Sequence, residues 1–318
     1  MSWSPGLGHI PVMEAEVVEL LAGGDLPGPI LDATLGGGGH AAAILEAQPQ
    51  ARVLGLDRDP DAVEAARGRL WKYGDRARVV KSSFADLREV VAQQEAWSGT
   101  PLLGGALFDL GVSSWQLDRA ERGFSYRAEG PLDMRMDTTQ PFSAADVVNE
   151  WSVSELAELF AEHGEVRFAR RIAGAIVAAR PLSTTTELAE VVRNAIPAAT
   201  RRHGGHPARR TFQALRVAVN GELDVLVPAL EDALDLLAPG GRLVVLAYHS
   251  LEDRAVKNTM RRAVTGGCTC PPALPCVCGA VPRARLLTRG ARRPSAAEVA
   301  ANHRADSARL RAVEKAAA

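Results

Sequence analysis

Short apolar runs alternate with amphipathic stretches through the first third of the chain. Runs at 29–34, 52–57, 77–81 and 106–110 have the length and leucine- and valine-rich content of buried strands, and the segments near 40–48, 60–72 and 86–95 carry helical spacing. Such alternation predicts a parallel sheet covered by helices on both faces. The pattern stops at 115–141, which is polar and irregular. From 151 to 196 the spacing is helical, with Leu156, Leu159 and Phe160 on one stripe; a Gly/His/Arg loop interrupts at 201–207, and a helical stretch follows over 211–237. The strand signal then returns. Pro239-Gly240-Gly241 predicts a turn, 242–248 (RLVVLAY) a buried strand, 252–264 a helix, and 285–288 and 308–313 the last strands. The expected architecture is an α/β domain in two pieces, 1–114 and 216–318 with a basic C-terminal tail, around an inserted, mostly helical domain at 115–215.

The segment Asp32-Ala-Thr-Leu-Gly36-Gly-Gly-Gly39-His40 leaves the first strand and enters a helix. Glycines let the backbone turn tightly and approach a ligand, and the helix N-terminus offers unpaired N–H groups. Asp57, at the end of the next strand, is placed to accept hydrogen bonds from ribose hydroxyls. Two cofactors fit. Gly36, Gly38 and Ala41 satisfy the dinucleotide pattern, which allows a nicotinamide-dependent oxidoreductase. S-adenosylmethionine uses the same strand–loop–helix with an acid at the first strand's end, here Asp32. Phe84, after the third strand, could lie beside an adenine or belong to the core, and Asp109 ends the fourth strand where the reactive end of a cofactor would sit. A tight turn holding no ligand is the third reading of the loop.

Composition narrows the class. With 318 residues, 47% hydrophobic and 24% charged, the chain is neither disordered nor fibrous. No apolar run approaches the ~18 residues that span a bilayer, and the first twenty residues lack the pattern of a secretory signal, so a cytoplasmic protein with no membrane partner is expected. The net charge of −1 hides an asymmetry: Arg167 to Arg216 contains ten arginines, no lysine and two acids, Glu187 and Glu190. Arginine's planar fork suits phosphate oxygens, which makes Arg201, Arg202, Arg209 and Arg210 candidates for contact with an RNA backbone; the alternative is a solvated helix face. A second arginine cluster, Arg283, Arg285, Arg289, Arg292 and Arg293, contains no acid. Cys268-Thr-Cys270 and Cys276-Val-Cys278 place four thiols within eleven residues, which could bind tetrahedral zinc, but they are spaced more tightly than a C-x-x-C knuckle, so ordinary cysteines in a loop are expected and no metal.

Longer matches are more specific. Asp109-Leu-Gly-Val-Ser-Ser-Trp-Gln-Leu-Asp118, with His9-Ile-Pro-Val12, Asp32 to His40, Leu56-Asp-Arg-Asp59, Glu121-Arg-Gly-Phe-Ser125, Gly130-Pro-Leu-Asp-Met-Arg-Met-Asp137, His206 to Arg216 and Tyr248-His-Ser-Leu-Glu-Asp-Arg254, resembles the MraW (RsmH) family of bacterial 16S ribosomal RNA cytosine-N4 methyltransferases. The likeness covers nearly the whole chain. It implies a class I, Rossmann-like methyltransferase sheet with an inserted helical RNA-recognition domain, S-adenosyl-L-methionine as cofactor, and 16S rRNA in the decoding centre of the 30S subunit as partner, with no obligate protein partner evident. It also implies cofactor contacts at Gly38, Gly39, His40, Asp57, Phe84, Asp109 and Gln116. Met13 stands where leucine is common in the family. Ala305-Asp306-Ser307 replaces a more basic Ala-Arg-Ser, which puts one possible phosphate contact in doubt.

For the reaction itself, Asp109 is the candidate acceptor of the proton that an attacking amine must lose; the alternative is that it serves the cofactor alone. Asp133 and Arg135 alternate with Met134 and Met136, as an edge strand or a salt-bridged turn would, and the resemblance makes them substrate-side candidates. His249 and Ser250 follow a late strand at the sheet edge where open α/β folds bind ligands, so they join the same group; a structural histidine is the alternative. An RNA-binding assembly factor with a vestigial cofactor fold is the non-enzymatic reading.

Overall fold

The computed structural model describes residues 11–24, 26–163, 166–198, 206–271 and 277–317, with the backbone alone at Ser114 and Trp115. The chain forms two compact units, one of Met1–Gly111 with Asp224–Ala318 and one of Val112–Leu223.

The first unit is built on a seven-stranded sheet. Its strands are β1 (Ile30–Asp32), β2 (Val53–Asp57), β3 (Ala77–Lys81), β4 (Leu103–Asp109), β5 (Leu237–Ala247), β6 (Ala284–Leu286) and β7 (Arg309–Lys315), in the order β3-β2-β1-β4-β5-β7-β6. The first five are mutually parallel, and β7 runs antiparallel to both β5 and β6. β2 and β4 carry no charge until their last residues, Asp57 and Asp109, and every residue before these is buried. Strands covered on both faces must be apolar along their length, so a carboxylate is affordable only where the strand emerges. This is the sheet of a class I, Rossmann-like methyltransferase. A dinucleotide-binding sheet is parallel in the order 3-2-1-4-5-6; the antiparallel β7 between β5 and β6 departs from it and removes the main support for a nicotinamide cofactor.

Local sequence explains the helices beside the sheet. Helix Pro60–Leu70 starts with Pro60 at its first position and with the Asp59 carboxylate accepting the Asp61 N–H at 3.0 Å. Helix Gly39–Ala47 starts instead from Gly38, at φ 75°. The turn predicted at Pro239-Gly240-Gly241 is an irregularity inside β5: its pairing passes from Leu103↔Leu237 to Gly105↔Arg242, with Gly240 at φ 81°. Only the partner strand reveals that Leu237 already belongs to the sheet.

The second unit is helical. Helices Ala144–Glu150, Val153–Glu162, Ala169–Ala178, Thr185–Ala195 and Arg209–Asn220 enclose a core that includes Phe160, Ile172, Ile176, Leu188, Val192 and Leu215, all fully buried. The helical stretch 151–196 comprises three helices, Val153–Glu162, Ala169–Ala178 and Thr185–Ala195. Reciprocal caps open several of the unit's helices, among these Ser152 with Glu155 and Thr184 with Glu187, each satisfying backbone N–H groups that a helix leaves unpaired. The stretch 211–237 divides at Gly221, φ 59°, into Arg209–Asn220 and Glu222–Leu236. The helix Arg209–Asn220 buries Phe212, Leu215 and Val219 in this unit's core. The insert thus extends to Leu223 rather than 215, and begins at Val112 rather than 115. No helix among the described residues is long and apolar enough to cross a membrane.

Candidate active site at the strand ends

The C-terminal ends of β1, β2 and β4 bring three carboxylates to one edge of the sheet. Asp32 is buried to 1% exposure, while Asp57 and Asp109 are half-buried. Burial pushes the Asp32 carboxyl up to about 7; His40 opposes this rise, and Asp109 and Asp57 add to it. Asp57 is also raised by burial, although N–H groups of Asp59 and Gly36 pull it back. Those bonds are short: Asp57 Oδ2 accepts from Gly36 N at 2.7 Å and Oδ1 from Asp59 N at 2.8 Å. A carboxylate has about four acceptor sites, so Asp57 anchors the glycine loop and retains acceptor capacity for hydroxyls.

The loop follows from the same geometry. Gly36 has φ 51° and Gly38 φ 75°, left-handed conformations that glycine adopts without penalty. Gly37 needs no such φ, is exposed, and a Cβ there would meet nothing within 4 Å. Packing within the protein does not demand a glycine at 37, whereas close approach of a ligand to the backbone does.

Asp109 is the most connected group of the site. Its N–H donates to Thr34 Oγ1 at 2.6 Å, the Tyr248 hydroxyl donates to its Oδ1 at 2.7 Å, and His40 Nε2 lies 3.5 Å from its Oδ2. Burial opposes charge on His40, but Asp109 and then Asp32 outweigh it and raise the imidazole above its ordinary value. Burial and the Asp109 carboxylate together hold the Tyr248 phenol protonated well beyond its usual range. Neither Thr34 nor Tyr248 was among the residues singled out from sequence. Their signal is positional, since Thr34 lies two residues after Asp32 and Tyr248 ends the β5 segment beside His249. Phe84 is half-buried and packs edge-on against buried Phe108, with ring centroids 5.8 Å apart.

His249 caps the helix Ser250–Thr265. Its Nδ1 accepts the Glu252 N–H at 3.4 Å, its Nε2 lies 2.7 Å from Glu252 Oε1, and Glu252 Oε2 accepts the N–H groups of Tyr248 and His249. The structural reading of this histidine therefore has direct support. Ser250 is exposed, and both residues line a cleft of about 150 Å³ with Arg293, Asp306 and Arg309.

Several other sequence candidates lie in the helical unit. Gln116 is buried and closes a capping box: its side-chain oxygen accepts the Ser113 N–H at 3.1 Å, and its own N–H donates to Ser113 Oγ. Asp133 and Arg135 form a two-pronged ion pair, Nε to Oδ1 at 2.8 Å and Nη2 to Oδ2 at 2.7 Å, and Arg135 Nη1 also donates to the Gln140 carbonyl. Although burial acts to raise it, Asp133 is lowered overall by Arg135. Between them Met134 has φ 57°, and Asn220 bridges the Met134 carbonyl and the Met136 N–H. The segment is a salt-bridged turn, and both charged groups are occupied in holding it.

Arg209 and Arg210 are exposed at the start of their helix; Arg201 and Arg202 lie outside the described residues. Tyr126 stacks on His206, centroids 4.4 Å apart, with the Arg127 guanidinium 5.9 Å from the Tyr126 ring. Sequence reasoning did not single out this pair, because 80 residues separate its members. In the sheet unit, three arginines of the acid-free C-terminal cluster meet acids remote in sequence: Arg283 pairs with Glu231 and Asp235, Arg285 with Glu314, and Arg292 with Glu19.

A family model described as the MraW methylase family matches residues 6–316. A relative from Thermobifida fusca named ribosomal RNA small subunit methyltransferase H is 53% identical over 318 residues, covering 98% of this chain and 94% of the relative. Relatives of the same name from Symbiobacterium thermophilum and Mycobacterium tuberculosis are 52% and 48% identical, covering 96% and 98% of this chain and 96% and 80% of their own lengths. Among solved structures, an rRNA methylase from Streptococcus thermophilus aligns with TM-score 0.41 at 13% identity, covering 96% of this chain and 94% of that one.

Proposed function

The chain belongs to the MraW methylase family, and from that premise we propose that it methylates the exocyclic N4 amine of a cytidine in the decoding centre of 16S rRNA, within the small ribosomal subunit. One observation carries the reading: a glycine loop tied to Asp57, with Asp32 and Asp109 at the neighbouring strand ends, in a class I methyltransferase sheet.

The site suits S-adenosylmethionine, which supplies an electrophilic methyl group when bound. Asp57 would accept from ribose hydroxyls, the exposed backbone at Gly37 and the first N–H groups of helix Gly39–Ala47 would receive the amino-acid portion, and Phe84 would pack beside adenine. The cytosine amine is a weak nucleophile because its lone pair is delocalised into the ring. The protein's principal task is therefore alignment. An acceptor for one N4–H would turn the lone pair toward the methyl group and take the surplus proton. Asp109 is the proposed acceptor. Thr34 fixes its backbone, and Tyr248 occupies Oδ1, so Oδ2 faces His40 and is the oxygen left to act.

In the helical unit, the Tyr126–His206 stack supported by Arg127 is the kind of platform on which unpaired bases stack, and Arg209 and Arg210 would contact phosphates. This supports the expectation of an RNA-recognition unit. His249 and Ser250 remain substrate-side residues in the proposal through the cleft they line. Asp133 and Arg135 would serve by holding their turn.

The decisive experiment incubates the protein with methyl-labelled S-adenosylmethionine and small subunits lacking the modification, then digests the RNA and identifies the labelled nucleoside. N4-methylated cytidine at a single decoding-centre position is expected. Label in another nucleoside, or none, overturns the proposal; preference for free RNA over the particle overturns its subunit part.

A further inference from the structure

Between helix Ser250–Thr265 and β6 the chain makes an excursion that contains all four cysteines. Its base is stapled: Gly267 N–H donates to the Arg262 carbonyl at 3.1 Å, Cys268 N–H to Thr265 at 3.1 Å, and Arg283 N–H to Ala263 at 2.8 Å. Gly266, φ 61°, passes so close to the returning chain that a Cβ would lie 2.5 Å from the Val281 backbone. Beyond this staple, the described residues 268–271 and 277–283 form no helix or strand, and Val277 and Val281 are 89% and 73% exposed. Apolar burial does not account for the order of this segment.

The thiols of Cys268, Cys270 and Cys278 nevertheless converge, with their sulfur atoms all within 4.8 Å of one another. In a tetrahedral thiolate site with Zn–S near ~2.3 Å, sulfurs lie roughly 3.8 Å apart. Small side-chain rotations would close the difference. Segments too small to build a core are commonly held by a metal or by disulfides, and soft sulfur donors select zinc over magnesium or calcium.

We propose that Cys268, Cys270 and Cys278 bind a structural zinc ion. Each thiol releases its proton to solvent as its sulfur bonds the metal, and a further donor completes the tetrahedron. The ion pins the excursion to the helix Ser250–Thr265 and to β6. The tight C-x-C spacing argued for ordinary cysteines; the three-dimensional convergence of the sulfurs overrides it. This proposal is independent of the methyl-transfer reading.

The test uses the full chain, purified under reducing conditions without chelator. Elemental analysis is expected to find about one zinc per chain, with release of the ion tracking thiol modification. In the double variant Cys268→Ser/Cys270→Ser, zinc content should fall roughly tenfold or more. Should that variant fail to fold, the wild-type chain still decides the matter: exchange into Co²⁺ should produce the thiolate-to-cobalt charge-transfer band and strong visible bands of a tetrahedral sulfur site. A reduced chain that carries only trace zinc, retains none after addition of Zn²⁺ and gives no such bands with Co²⁺ overturns the proposal. So does a chain whose thiols are found as a disulfide, without metal, before any oxidant is added.

Discussion

Two sets of aspartates treat their charge in opposite ways. At the strand ends Asp32 and Asp57 are raised by burial, and Asp109 is met by a hydroxyl and an imidazole rather than by an arginine. In the helical unit Asp133 is lowered, its two oxygens filled by the guanidinium of Arg135. A carboxylate paired with arginine is spent on structure. One buried without an arginine is costly to keep, and it retains the acceptor capacity that a bound molecule or a departing proton requires.

The comparison breaks first at Asp109. Asp109→Asn keeps the shape and removes the base, so methyl transfer to subunits should fall by about two orders of magnitude or more if Asp109 takes the proton. Single-turnover rates and cofactor affinity measured together would separate this from a cofactor-only role, which would instead weaken binding. Next in size is Asp57→Ala. It strips two backbone N–H groups of their acceptor and removes the ribose contact, so calorimetry should show S-adenosylmethionine binding weakened by about ten- to a hundred-fold.

Asp133→Ala should leave cofactor affinity unchanged and reduce stability by about 1–2 kcal/mol, a discounted figure because the ion pair is partly exposed. Denaturant unfolding checks this, and Arg135→Ala in the same background should add little more. Weakened cofactor binding by Asp133→Ala would erase the contrast between the two sets.

A further contrast lies in pH. Asp32 stays protonated in the folded protein up to about 7 but ionises near 3.8 when unfolded, so the folded state binds more protons between those values. Stability of the ligand-free protein should accordingly fall as pH rises from about 4 to 7 and then level off. His40, raised in the fold, acts with the same sign: its stabilisation is present at low pH and is lost as pH climbs through its folded value. Asp32→Asn should flatten most of this slope in a series of thermal melts. An unchanged slope would show that Asp32 is not held protonated.

Much of the fold was legible because its rules are local. The alternation of apolar runs with helical spacing set β1 to β4 to within a few residues, and the caps at Asp59, Ser152 and Thr184, which only the structure identified here, are equally local contacts three residues long or less. The glycine loop, Asp57 and Asp109 stood out because polar or flexible residues at the end of an apolar strand have few structural reasons to be there. Less legible was anything that depends on a partner remote in sequence. Tyr248 reaches Asp109 across 139 residues, Arg292 reaches Glu19 across 273, and Asn220 holds the Met134–Met136 turn from more than 80 residues away.

The sequence by itself determined the first four strands, the family and the place of the candidate glycine loop, since hydrophobic period and contiguous motifs need no knowledge of the other end of the chain. Tertiary structure alone decided which charges are spent on one another and which remain available: Asp133 with Arg135, Arg283 and Arg285 with their distant acids, and Asp109 beside Tyr248 and His40. Electrostatic pairing acts over a few ångströms of space, and distance along the chain carries no information about it.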